Sequence, residues 1–161
     1  MTERSTGIAS RVEQSYADLI RVVSGLTAAE LAVTCDDHGG ETVGAVVAHL
    51  ADGARQVLAW VSGSPPDGDD HHGHDHADPA EVTALLRQSA DTAIGLLGGL
   101  TDEQLQAVLP AAAGIADGNT PLEQVVINML DHQAHHLASI EQALAGQAAE
   151  RTAAGLPQET S

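Results

Sequence analysis

The chain has 161 residues, with 23 acidic side chains against 6 basic ones and a net charge of −17 at pH 7. That balance excludes nucleic acid and anionic membrane surfaces as natural partners, because both are held chiefly by Lys and Arg against phosphate. Hydrophobic residues make up 43% of the chain, too many for a disordered one, but with no Phe, one Trp and one Tyr the core must be built from Val, Leu, Ile and Ala.

The first predicted helix spans Ser5 to Gly25, where Ile8, Val12, Tyr16, Leu19, Ile20 and Val23 recur at spacings of three and four and so share one helix face. Thr27-Ala-Ala-Glu30 reads as a capping box opening a short turn through Leu31, and a polar loop follows from Cys35 to Gly40. The second long helix starts near Thr42, with a stripe of Val43, Val46, Val47, Leu50, Ala54, Val57, Leu58 and Val61. Ser64-Pro65-Pro66-Asp67-Gly68 ends it. A loop then carries the tract His71-His72-Gly73-His74-Asp75-His76.

Asp78-Pro79 opens the third long helix, with Pro at the first helical position and a face of Val82, Leu85, Leu86, Ala90, Ala93, Ile94 and Leu97. Gly98-Gly99 stops it, and Thr101-Asp-Glu-Gln104 is a second capping box. Pro110 to Asn119 is a loop rich in Ala and Gly. Thr120-Pro121-Leu122-Glu123 places a Thr N-cap, Pro at N1 and Glu at N3 before the fourth long helix. That helix is expected to reach about Gly146, leaving 147–161 as a flexible C-terminal tail to a domain of residues 1–146. Four amphipathic helices and no strand pattern predict an all-α four-helix bundle. The segment between helices two and three is long for a hairpin and could cross the bundle end to end, which would make those two helices parallel.

One cysteine, Cys35, excludes an intrachain disulfide and suits a reducing compartment. No signal-peptide core follows the N-terminus, and no apolar run nears the roughly 20 residues of a membrane span. The expected location is cytoplasmic. Cys35 has acids around it and no cation to lower its pKa, which argues against a nucleophile.

The nine histidines carry the chemistry. His132 and His136 lie one turn apart on the fourth helix, about 40° around its axis, so their imidazoles can share one ion. Both are expected on the buried side of the stripe, where a metal would satisfy two otherwise costly imidazoles. His49, between Val46 and Leu50 on the second helix, supplies the third ligand. Three protein ligands with a position left open describe a catalytic type of site, since structural zinc sites have four. Asp52, Asp131 and His135 are candidates for a place behind the ligands, the two acids as acceptors of an imidazole N–H. His71, His72, His74 and His76 form a separate candidate loop for metal capture, or else a solvated linker.

The stretch Thr42-Val43-Gly44-Ala45-Val46-Val47-Ala48-His49-Leu50-Ala51 resembles the second helix of the DinB-like superfamily. Asp131-His132-Gln133-Ala134-His135-His136 resembles its last-helix histidine cluster, and Leu26-Thr27-Ala28-Ala29-Glu30-Leu31 the link after its first helix. The resemblance implies a four-helix bundle with a long crossover between helices two and three. It implies a zinc or nickel ion on His49, His132 and His136, and kinship with thiol S-transferases and mycothiol-dependent maleylpyruvate isomerases. The expected activity is metal- and thiol-dependent transfer or isomerisation on a small electrophile, with mycothiol as co-substrate. Two other readings stay open: a non-catalytic metal-binding or buffering protein that uses the 71–76 loop, and a bundle serving association alone. A homodimer is also left open.

Overall fold

The computed structural model describes residues 2–35, 40–61, 78–108 and 118–155. In chain order the elements are α1 (Glu3–Val23), α2 (Ala28–Leu31), β1 (Thr34–Cys35), β2 (Glu41–Thr42), α3 (Val43–Val61), α4 (Pro79–Gly98), α5 (Asp102–Gln106) and α6 (Leu122–Ala153). The four long ones are the expected helices, and the expected capping boxes close at Thr27 and Thr101.

α1 packs against α4 and α6, and α3 packs against the same two helices. Cross-links give the directions. The Thr2 hydroxyl donates to Asp102 at 2.6 Å, so α1 starts where α4 ends. Arg4 pairs with Glu123, and the Ser15 hydroxyl donates to Gln133 Oε1 at 2.9 Å, so α1 and α6 run the same way. β1 lies against the second half of α6, and Val43 N–H donates to Val33 at 2.8 Å, while His49 meets His132 further back. α3 therefore opposes α6. By the same cross-links α3 and α4 are parallel, and the connection between them has to return the length of the bundle. The expected crossover topology thus holds; its residues, the 71–76 histidines included, lie outside those described.

The core is aliphatic as composition demanded. Val12, Leu19, Val23, Val43, Val46, Val47, Leu86 and Ala93 are fully buried, with Tyr16 the largest side chain among them. Burying one such Leu or Val contributes about 1.5–3 kcal/mol, and this outweighs any surface ion pair in the chain.

Three local features depart from expectation. The loop after Leu31 contains a two-stranded antiparallel ribbon, Thr34 opposite Thr42 and Cys35 opposite Glu41. Strands of two residues are too short to show alternation in a sequence. Cys35 is fully buried as part of the hydrophobic core. The N-cap of α6 is Pro121 rather than Thr120: Pro121 bridges Val108, and Leu122 N–H donates to Ala107 at 2.9 Å, holding this residue extended at ψ 149°. Finally α6 does not end near Gly146 but runs to Ala153, closing with Gly155 in the left-handed region at φ 68°. Residues 147–153 lack apolar periodicity, yet Gln, Ala, Glu and Arg favour helix strongly enough to extend it.

Candidate metal centre

α6 carries two of the three histidines because they sit four residues apart, and α3 brings the third to them from a facing helix. His136 Nε2 lies 2.9 Å from His132 Nε2, and His49 Nε2 lies 3.3 Å from His132 Nε2. One nitrogen from each ring falls within 4.8 Å of the others. Two imidazole nitrogens at about 2.0–2.1 Å from a tetrahedral ion are separated by about 3.3 Å. The two separations from His132, 2.9 and 3.3 Å, lie close to this spacing. The three Nε2 atoms crowd together at one point, with His132 Nε2 the atom nearest both of the others. With all three protons on Nδ1, three lone pairs converge, and a cation satisfies them together.

Burial differs from the sequence expectation. His136 is buried, at 4% exposure, but His132 is exposed, and so is His49. The site is thus anchored in the core through one ligand and open to solvent on the side of the other two. The three rings meet edge to face, with His132 and His136 centroids 4.2 Å apart at 87°. His135 is exposed, its ring centroid 6.1 Å from that of His136, at the rim of the cluster.

The two acids are placed elsewhere. Asp52 accepts from Arg55 at 2.7 Å, one turn along α3. Asp131 is exposed and lines a groove between α1 and α6 with Arg11, Gln14 and Asp18. Asp131, next to His132 in the chain, is carried away from the shared face by the 100° step per residue.

One buried polar residue escaped the sequence reading. Gln133 is 1% exposed and takes its place between Leu130 and Leu137 on the inward side of α6. The signal was present: 126, 130, 133, 137, 140 and 144 alternate spacings of four and three, and Gln133 is the polar member of that row. Its Oε1 accepts from Ser15, while its Nε2 and the Tyr16 hydroxyl, both buried, have no hydrogen-bond partner among the described residues. Burial pushes the Tyr16 phenol up to about 12, and the nearby Gln133 carboxamide offsets this in part.

The consequence for stability has a definite sign. The folded-state value lies above the unfolded one, so the contribution is complete below pH 10 and disappears as pH rises toward 12. Each unit is worth about 1.4 kcal/mol, so the alkaline loss from Tyr16 amounts to about 2–3 kcal/mol. Because the chain has one tyrosine, phenolate absorbance on folded and urea-unfolded protein reads it directly. Tyr16→Phe is expected to abolish this part of the alkaline loss while leaving neutral-pH stability unchanged or up to about 1 kcal/mol higher, since an unsatisfied buried hydroxyl is removed. An unchanged alkaline profile in the variant would refute the assignment.

Against known proteins, residues 11–140 match the model of the DinB superfamily. The chain belongs to the DinB superfamily. The DinB match takes in the greater part of α1, all of α3 and α4, and all three clustered histidines. Among solved structures, the chain is similar to YfiT from Bacillus subtilis, described as a probable metal-dependent hydrolase with an unusual four-helix bundle topology. The TM-score is 0.66 at 22% identity, covering 98% of this chain and 91% of that one, which shows a shared fold. A comparison with curated proteins found no match. No helix among the described residues is long and apolar enough to cross a membrane.

Proposed function

We propose that this DinB protein is a cytoplasmic enzyme that uses one divalent ion, zinc or nickel, to activate a low-molecular-weight thiol of the mycothiol type for attack on a small electrophile. The observation that carries this is the convergence of His49, His132 and His136 Nε2 with two of the three ligands exposed. Three neutral donors leave a coordination position toward solvent, and a divalent ion there would supply the electrostatic stabilisation that keeps a thiol deprotonated at neutral pH. The chain's own contribution is positional. His136, packed in the core, fixes the depth of the site; His132 and His49 set its open side; His135 stands at the rim, where it can contact an incoming molecule. The acidic surface disfavours anionic macromolecules, and small molecules are the partners this reading requires.

A second nucleophile, water, is favoured by the description of YfiT, since the same open position would serve metal-assisted hydrolysis. Cobalt-substituted protein separates the two. Addition of mycothiol is expected to produce a thiolate-to-cobalt charge-transfer band that His132→Ala abolishes. No band, together with cobalt-dependent cleavage of an activated ester, would replace the thiol reading with the hydrolytic one.

A further inference from the structure

One cavity lined by described residues lies apart from the three histidines. It is a cleft of about 540 Å³ between the segment Ala32–Thr34 and the second half of α6. Small-molecule sites commonly measure about 300–1,000 Å³. α6 outruns the beginning of α3, and the ribbon spans the space this leaves. Five polar side chains line the cleft: Thr34, Ser139, Gln142, Gln147 and Glu150. None of the five makes a side-chain hydrogen bond among the described residues, although elsewhere glutamines on these helices find partners, as Gln14 does with Asp18 and Gln124 with Asn128. Among the described residues that line the cleft, Glu150 is the one carboxylate and none is basic. Anions are therefore repelled. A cationic end is attracted at Glu150, and the two carboxamides and two hydroxyls offer donors and acceptors to a neutral body.

The cleft is also elongated. Ser139 and Glu150 are eleven residues apart, about 16 Å along the helix, and His132 and Glu150 are eighteen apart, five full turns on one line of α6. The polar row thus begins one turn beyond His136.

We propose that this cleft binds a small extended molecule with an ammonium group at one end and amide groups along its body, in the simplest case a short peptide with a free amino terminus. Glu150 takes the ammonium group through a charge-assisted hydrogen bond. Gln142, Gln147, Thr34 and Ser139 pair with the peptide groups. The inference does not rest on the metal reading.

The test is a titration of the full chain with trialanine amide and with its N-acetylated form, followed by backbone amide shifts. Wild type is expected to bind the free amine at least tenfold more tightly than the acetylated form, with shifts confined to residues 32–34 and 139–150. Glu150→Gln should reduce the free amine to the level of the acetylated form. Gly146→Leu should abolish binding of both without lowering the melting temperature, because a Cβ at Gly146 meets nothing within 4 Å and leucine favours helix. If Gly146→Leu does lower the melting temperature, the Glu150→Gln result decides alone. No binding by wild type, equal binding of the two peptides, or a tenfold preference that survives Glu150→Gln would overturn the proposal and leave only general attraction to an acidic surface.

Discussion

Replacing His132 by Ala is expected to cost the protein its bound divalent ion, lowering affinity by more than about 100-fold, the upper end of what removing a group that merely orients a ligand costs. His132 suits this test because its side chain is exposed and contributes little to the core. His136→Ala should lose the ion too, but it empties a buried position at the same time. Stability gives an independent readout. An ion at 100 times its dissociation constant stabilises the folded state by about 2.7 kcal/mol, which for a chain of this length shifts Tm by about 5–11 °C. Wild type should therefore melt lower in chelator, and His132→Ala should melt at one temperature with or without it. Equal metal content per chain in the two proteins, measured by mass spectrometry, would remove the three-histidine site and with it the proposed activity.

Leu86→Ala should destabilise the fold by about 2–5 kcal/mol, lowering Tm by about 4–20 °C. Leu86 is fully buried on α4, the helix that α1 and α3 both pack against. In a core with no Phe there are few large side chains nearby to collapse into the space left. Urea unfolding should show the midpoint falling at constant slope. Val108→Ala, at a position 51% exposed, is the matched control and should change stability by less than about 0.5 kcal/mol. A loss under about 1 kcal/mol for Leu86→Ala would mean that the α1–α4–α3 packing is looser than described.

The bundle could be read from the sequence because its information is periodic. Ile8, Val12, Tyr16, Leu19 and Val23 announce a helix face, and each is buried. The histidine cluster could be read for a related reason: a spacing of four on a helix is a spatial statement, and His49 sits between Val46 and Leu50, which had to face the core. What stayed hidden was not periodic. The two-residue strands are fixed by pairing with each other. The extension of α6 to Ala153 rests on propensity without a buried face. The exposure of His132 depends on where α3 comes to rest, which no single helix encodes. Gln133 was legible in principle, as the polar member of an apolar row, but its meaning needed Ser15 on another helix to complete it. Asp52 shows the converse. Its place near His49 in sequence suggested a partnership, and the nearer cation Arg55 took it.

His49 and His132 stand 83 residues apart in the chain. A chain with one cysteine cannot tie such distant segments together covalently within itself. An ion held by these rings would be a staple between α3 and α6, closing a loop as long as many disulfides close. Unlike a disulfide, such a staple would be indifferent to reductants and would open to chelators, so the long-range architecture of this bundle would answer to metal supply rather than to redox state.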